Sequence, residues 1–239
     1  MSANYTESPF CCLSFWGFYF LESSVSLSRP TMRIASTLMF VLASATRSNG
    51  ILLLIPLFFA TLRTCPLVSR LANKSQPPVS PVAVLAHWAL GAVQAVCVLS
   101  PTLYLSYSAY VSYCVDAAAR GLAPRPWCYN TVPSIYGYIQ REYWGVGPFL
   151  YFQAKQIPNF ALAVPALTMA ACACLWAVQS VQDGKSYERS DGKSGDTKNE
   201  KDDVPLLLAL ARHRLTGYCL QLGFLAMYTV ICANVQVSK

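Results

Sequence analysis

Three apolar segments constrain the fold of this chain most: residues 82–105, 159–179 and 215–235. A helix needs about 20 apolar residues to cross the roughly 30 Å of hydrocarbon in a bilayer. Each segment meets that length, and the aromatic-rich residues 9–27 form a fourth segment that nearly does. The sequence therefore predicts an all-α fold, a transmembrane bundle of several spanning helices.

A further apolar region is divided into two short halves, residues 34–46 and 51–62, by the polar break RSNG at 47–50. Thirteen residues of helix, the length of the first half, cover only about 20 Å. If the chain turns at this break, we expect Arg47 to lie below the membrane surface. Gly50 permits the positive φ that a tight turn between helices often requires.

Composition agrees with a membrane protein. Charged residues make up 12% of the chain and hydrophobic residues 54%, whereas soluble domains carry about a quarter charged residues. Seven of the eleven acidic residues fall in 183–203, a segment with one aromatic and no aliphatic residue. Such a segment cannot bury enough surface to fold, so we predict a disordered linker. The net charge of +7 forms no basic patch, and no nucleic-acid partner is expected.

The lysines and arginines predict which side of the membrane each connection faces. If residues 28–33, 63–81 and 180–214 share one side, that side carries twelve of these cations and the other side five. Cytoplasmic loops carry the excess of Lys and Arg. The linker is therefore predicted to be cytosolic, and the aromatic loop 106–158, the N-terminus and the polar break to lie on the other side of a single membrane domain spanning 1–239.

The cysteines and histidines predict no metal site. Cys172 and Cys174 are two positions apart on a predicted helix, so their side chains diverge, and the chain has two histidines, His87 and His213. Cys114 and Cys128 share the predicted non-cytosolic side, where they either pair or remain free. No motif typical of soluble nucleotide-binding proteins or serine hydrolases occurs.

Two polar groups stand beside the first apolar segments. Glu7, in NYTESPF at 4–10, is either a solvated charge favoured by a helix N-terminus or a functional carboxylate. Arg47 and its neighbour Asn49 lie in the polar break. Holding Arg47 within a membrane is costly unless it faces a wet cavity or an anion. The alternative is an arginine that reaches back to the membrane surface.

The third polar group is the stretch RPWCYNTVPSIYGYIQREYWGVGPFLYFQAKQIPNF, residues 125–160, whose four prolines keep it from forming one helix. A belt of interfacial Trp and Tyr explains its aromatics but not its amides and its arginine. Aromatic planes beside amide and guanidinium groups suit a sugar, and arginine also binds phosphate bidentately; lipid headgroups fit as well. The candidate binding residues are Trp127, Gln140, Arg141, Tyr143, Trp144, Gln156 and Asn159.

Six motifs in this order, YTESPF, WGFYFLE, ATRSNG, RPWC, PSIYGYIQREYW and KQIPNFALAVP, resemble the GPI mannosyltransferase II family of GT-C glycosyltransferases. The resemblance covers essentially the whole chain outside 183–203. It implies a multi-pass enzyme of the endoplasmic reticulum membrane that adds the second mannose to the glycosylphosphatidylinositol (GPI) precursor. The donor would be dolichol phosphate mannose, used on the luminal side without a further cofactor. In fungi such an enzyme acts with a small membrane partner subunit.

The chain also departs from that family. Members are longer at both ends, and a luminal loop near their N-terminus bears an acidic residue thought to act in catalysis. They tend to have an asparagine and a cation where this chain has Gly145 and Leu150. The resemblance therefore predicts the middle part of such an enzyme, with little or no transferase activity of its own.

Transfer from a lipid phosphate needs a carboxylate that takes the acceptor's proton and cations that hold charge on the leaving phosphate. The predicted luminal acids are Glu7, Asp116 and Glu142. Glu7 and Glu142 are weak candidates, so the catalytic base stays unassigned. Arg47 is the first candidate for the phosphate and Arg141 the second. Two other classes stay open: a non-catalytic membrane subunit, and a lipid-binding or transport protein.

Overall fold

The computed structural model describes residues 7–72, 78–121, 123, 125–131, 133–143, 157–190, 213 and 215–231. These residues form helices and contain no strand. The helices are α1 (Glu7–Ser26), α2 (Pro30–Thr46), α3 (Leu54–Thr64), α4 (Pro66–Ala72), α5 (Pro81–Tyr110), α6 (Asp116–Ala119), α7 (Ile135–Glu142), α8 (Ile157–Ser190) and α9 (Thr216–Ile231).

The predicted all-α fold is confirmed for the described residues, and a helix forms at every predicted apolar segment. By length and composition, the continuous helical stretch Pro81–Ala119 can cross a membrane; no other described helix meets that test. Shorter apolar helices occupy Ser48–Thr64 and Ala163–Gln179. The number of membrane crossings thus stays a prediction.

Helices α1 and α2 form the best-packed pair because small residues let them approach closely. A Cβ at Gly17 would collide with the ring of Phe40, so only glycine fits at this crossing. The Ser36 hydroxyl, which is fully buried, donates to the Gly17 carbonyl at 2.9 Å. The connection between the helices includes Ser28, which has a φ of 50°. Because this connection is short and the two helices pack against each other, they run antiparallel. The start of α1 therefore lies beside the end of α2.

The core lies where α1, α2, α3 and α5 meet. Partly buried aromatic and aliphatic side chains pack against its buried members. The buried residues are Leu21, Phe40, Ala43, Leu53, Leu57, Ala60 and Val98. Beyond this core many large apolar side chains remain exposed, as on a surface that faces lipid or other helices.

A polar cluster joins α9 to the core helices. Both Glu22 carboxylate oxygens accept hydrogen bonds from Arg63 Nη2 at 3.0 Å, and the Tyr218 hydroxyl donates to Glu22 Oε1 at 2.8 Å. Gly217 packs against α3 so closely that a Cβ there would lie 2.9 Å from Phe59 Cβ. This cluster fixes α9 against α1 and α3, although α9 is remote from them in sequence.

The predicted aromatic loop 106–158 is partly helical. Helix α5 continues through a π-helical turn at Val111–Val115 into α6, which ends at Ala119. The reason lies in the sequence: residues 106–120 contain neither glycine nor proline, and the alanines at 117–119 favour helix. Gly121 then stops the helix with a φ of 70°, which glycine adopts without strain.

Helix α8 also extends further than predicted, because it runs to Ser190 and so includes the first part of the predicted linker 183–203. Adding a residue to an existing helix costs much less than starting a new one, so α8 propagates past its apolar part. The rest of the linker lies outside the described residues. The last predicted span is helical over Thr216–Ile231, and 232–235 lie outside the description.

Candidate functional site

Arg47 ends α2 and pairs with the first residue of α1. Its backbone is extended (φ −148°, ψ 140°), and its N–H still donates to Ala43 at 3.2 Å. The side chain turns towards α1, where Nη1 lies 3.0 Å from Oε1 of Glu7. Antiparallel packing of α1 and α2 brings together two residues that the sequence singled out separately. Glu7 is therefore a partner of Arg47 and not only a solvated helix-start charge.

The polar break forms a compact 3₁₀ turn at Ser48–Leu53 rather than a glycine turn with positive φ. The expectation for Gly50 is wrong: among the described glycines, Gly121 is the one with positive φ. Gly50 is needed for space, since a Cβ there would collide with the backbone of Ser44. Its N–H donates to the Arg47 carbonyl at 2.9 Å, which closes the turn.

Helix α2, which Arg47 follows, is longer than the apolar segment predicted from the sequence. Helix α2 begins at Pro30, four residues earlier than predicted, and its 17 residues cover about 26 Å. Proline at the first position of a helix is favourable, since its fixed φ suits the helix and it lacks an N–H that would stay unpaired. The side chain of Arg47 is 34% exposed, and its depth in a membrane stays a prediction.

The geometry leaves part of the Arg47 guanidinium available. Within the described ranges, Nη1 pairs with Glu7, and no hydrogen bond occupies Nε or Nη2. A guanidinium presents five N–H donors in a planar fork, so a second anion can bind the other edge. Asn49 follows two residues later and is exposed. This end of the bundle can thus hold an anionic group beside a carboxylate.

A disulfide between Cys114 and Cys128 organises the segment that follows α5. It joins the π-helical turn to a 3₁₀ turn at Pro126–Tyr129. Of the two alternatives that the sequence left open, the structure therefore has the pair. Free thiols remain elsewhere, for example at Cys172.

Beside the disulfide lies an aromatic cleft of about 370 Å³ between the end of α5 and α7. Helix α7 is held there by its N-cap: the Ser134 hydroxyl accepts a hydrogen bond from the Gly137 N–H at 3.1 Å. The cleft is lined by Tyr113, Arg125, Trp127, Ile135, Tyr138, Ile139 and Tyr143. Aromatic walls around one arginine suit a ligand with both an apolar face and a polar edge.

Two of the candidate residues predicted from the aromatic loop line this cleft, Trp127 and Tyr143. Trp127 is the more buried of the two, with 2% of its surface exposed. Gln140 is half-buried and lies outside the lining, as does the exposed Arg141, whose Nε is 3.7 Å from Oε1 of Glu142. Arg141 thus faces its own neighbour.

Three further candidates have no described side chain. Trp144 and Gln156 lie outside the described residues, as do Gly145 and Leu150, and Asn159 lies in the first turn of α8, where only the backbone is described. Their predicted roles stay predictions.

The Arg47–Glu7 pair and the aromatic cleft share one end of the bundle without touching. Ser44 Oγ lies 3.5 Å from Thr102 Oγ1 on α5, and Tyr113 follows eleven residues later. At 1.5 Å per residue, the cleft begins about 16 Å further along. No hydrogen bond or ion pair connects the two in the part of the chain that the structure describes.

The sequence analysis missed five cleft residues: Tyr113, Arg125, Ile135, Tyr138 and Ile139. Positions 135, 138 and 139 have the i, i+3, i+4 spacing of one helix face. This spacing would have identified them together if the segment of α7 had been predicted to be a helix. Tyr113 had no such signal, because it sat in a predicted loop. No three metal-binding side chains lie together within the described ranges.

Comparison with known proteins decides the family. The profile of the family described as Mannosyltransferase (PIG-V) matches residues 1–239. The chain belongs to this mannosyltransferase (PIG-V) family. The predicted resemblance is thereby confirmed.

Individual relatives agree with the family match. GPI mannosyltransferase 2 of Chaetomium globosum is 31% identical over 233 residues, which cover 89% of this chain and 45% of the relative. The same-named protein of Aspergillus fumigatus is 35% identical over 186 residues, covering 74% of this chain and 39% of the relative. Human GPI alpha-1,6-mannosyltransferase 2 is 28% identical over 259 aligned residues, covering 99% and 48%.

This PIG-V family chain spans less than half the length of the three relatives. No solved structure matches it.

Proposed function

We propose that this chain forms part of a mannosyltransferase of the endoplasmic reticulum membrane. The enzyme would add the second mannose to the GPI precursor from dolichol phosphate mannose. The observation that carries the proposal is the family match over all 239 residues. Fungal, mouse and human relatives at about 30% identity carry mannosyltransferase names.

The end of the bundle with Arg47 and the disulfide is the one we assign to the lumen. Disulfides form and persist in oxidising compartments such as the endoplasmic reticulum lumen, which supports this placement of Cys114 and Cys128. The opposite end carries Arg29, Arg33 and Arg63, which suits the cytosolic side. Several helices would cross the membrane, with α5 the longest of the apolar ones.

In this proposal Arg47 holds the donor phosphate. The acceptor hydroxyl attacks C1 of the mannose, the bond from C1 to the phosphate oxygen breaks, and negative charge develops on the leaving lipid phosphate. A fixed cation beside that charge stabilises the transition state. Glu7 would hold Nη1 of Arg47, so that Nε and Nη2 can point to the phosphate. The aromatic cleft would stack against a sugar, with Arg125 at its edge.

A carboxylate must also take the proton from the acceptor hydroxyl. Glu7 is engaged with Arg47, and Glu142 lies beside Arg141. Both stay weak candidates, and the base is left unassigned. A small membrane partner subunit remains part of the proposal on the resemblance alone.

The test is mannosyl transfer in human cells that lack their GPI alpha-1,6-mannosyltransferase 2. Residues 1–239 are expressed alone, and also as a chimera in which they replace the matching segment of the human enzyme. We expect the chimera to convert the one-mannose GPI intermediate and to restore surface GPI-anchored proteins, and the chain alone to do so weakly or not at all. A chimera of normal abundance that converts none of the intermediate would favour a non-catalytic subunit.

A further inference from the structure

A second and larger cleft lies at the opposite end of α2 from Arg47. Its volume is about 770 Å³, within the range of roughly 300–1,000 Å³ typical of ligand-binding cavities. It runs between α2 and α5, and the turn that joins α1 to α2 lines one end of it. Arg33, on its wall, and Arg47 are 14 residues apart, which places them about 21 Å apart along the helix. We call it the Arg33 cleft.

The walls of the Arg33 cleft are apolar over most of their length. Ile34 and Leu38 face Leu90 and Val93 across it, and each of these side chains is at least 53% exposed. Four large aliphatic side chains left exposed along one groove favour an apolar, elongated occupant. In a membrane, a hydrocarbon chain has that form.

The headgroup end of the cleft is cationic. Arg29, the N-cap residue of α2, and Arg33, in the first turn of that helix, both line this end of the cleft. Among the described residues that line the cleft there is no carboxylate. Arg29 is exposed, and in the described part of the chain it has neither a hydrogen bond nor an ion pair from its side chain.

Arg33 is held in place with one donor group left over. Its Nε donates to Gln94 Oε1 at 3.1 Å, and its Nη2 donates to the Thr61 hydroxyl. Gln94 Nε2 in turn donates to Thr37 Oγ1 at 3.0 Å. These bonds leave Nη1 without a partner within the described ranges. A guanidinium fixed on one edge and open on the other is suited to an anion, and phosphate accepts such bonds well.

We propose that the Arg33 cleft binds one anionic phospholipid. The phosphate would sit between Arg29 and Nη1 of Arg33, and an acyl chain would lie along Leu38 and Val93. Charge decides against a second protein helix as the occupant, because an apolar helix would leave both arginines without a counter-charge. This site is separate from the proposed donor site at Arg47. It depends on a membrane location but not on mannosyl transfer.

The test is native mass spectrometry of the full chain, purified in detergent, with phosphatidylserine or phosphatidylcholine added at equal concentration. We expect one tightly held phosphatidylserine and no comparable phosphatidylcholine. Arg29→Gln should weaken phosphatidylserine binding about fivefold, the loss of roughly one interfacial cation. Arg70→Gln is the matched control, because Arg70 is an exposed arginine of α4 outside the cleft. Val93→Trp, which fills the chain-binding half, should weaken binding of the same lipid.

These variants leave the folding contacts intact. Arg29 caps α2 without a side-chain hydrogen bond, and Val93 is 60% exposed, whereas Arg33 itself is left unchanged. Equal binding of the two lipids, or equal affinity of Arg29→Gln and Arg70→Gln for phosphatidylserine, would overturn the proposal. So would the absence of any bound lipid. None of these readouts involves mannosyl transfer, so a failed transferase assay leaves this test unaffected.

Discussion

Arg47 Nη1 lies 3.0 Å from Glu7 Oε1 and connects the end of α2 to the start of α1. With 34% and 59% of their side chains exposed, these residues contribute at most about 1 kcal/mol to stability through the pair. Its main consequence is geometric. The pair orients one edge of the guanidinium and leaves the other edge open.

Glu7→Gln tests whether Glu7 positions Arg47 or takes a proton. Because glutamine keeps the shape but not the charge, we expect the donor KM of the active chimera to rise about fivefold, with kcat changed by less than about twofold. Steady-state kinetics with dolichol phosphate mannose measures both. Arg120→Gln, an exposed arginine at the same end, serves as the control. A hundredfold fall in kcat would instead identify Glu7 as the general base.

The disulfide should stabilise the aromatic cleft. The bond closes a loop with a sequence separation of 14, for which chain entropy predicts about 3 kcal/mol. In Cys114→Ser combined with Cys128→Ser, we expect amide exchange in residues 126–142 to accelerate by about a hundredfold. Cys172→Ser, which removes an exposed free thiol, should leave that exchange unchanged. Unaltered exchange in the double variant would mean that the cleft does not depend on the bond.

The cluster that holds α9 should show energetic coupling. Tyr218→Phe removes one hydrogen bond to Glu22 and should cost about 1 kcal/mol. Because Glu22 then keeps its pair with Arg63, Glu22→Gln should cost more. A double-mutant cycle in the free energy of unfolding should give a coupling of at least about 0.5 kcal/mol. Strict additivity would show that the Tyr218 contact contributes nothing to the docking of α9.

Glycan mapping tests the assigned orientation. Asn4 and Asn73 are both in N-linked acceptor patterns, NYT and NKS. Our orientation places Asn4 in the lumen and Asn73 in the cytosol. Peptide mass spectrometry with and without glycosidase should therefore find no glycan on Asn73. A glycan there would invert the topology and remove the luminal assignment of Arg47.

Most of the helices were predictable from the sequence, because each long run of apolar residues can be read directly from consecutive positions. The relation of Glu7 to Arg47 was not, since 40 residues separate them and only the antiparallel packing of α1 on α2 brings them together. Nor did the sequence reveal that Gly50 is needed for space rather than for positive φ, because that depends on the approach of Ser44. Tyr113 was missed because α5 continues past the end of its apolar segment.

Turnover against dolichol phosphate mannose concentration, for Arg47→Ala and its parent chimera at matched abundance, tests whether Arg47 holds the donor phosphate. Arg47→Lys keeps the charge without the planar fork, so we expect weakened donor use and normal folding. Arg47→Ala should lower the rate by roughly tenfold to a thousandfold, the range for loss of one charge-stabilising donor. Arg120→Gln should behave as the parent does. Normal turnover with normal donor affinity in Arg47→Ala would instead show that Arg47 is a membrane-surface anchor and does not bind the phosphate.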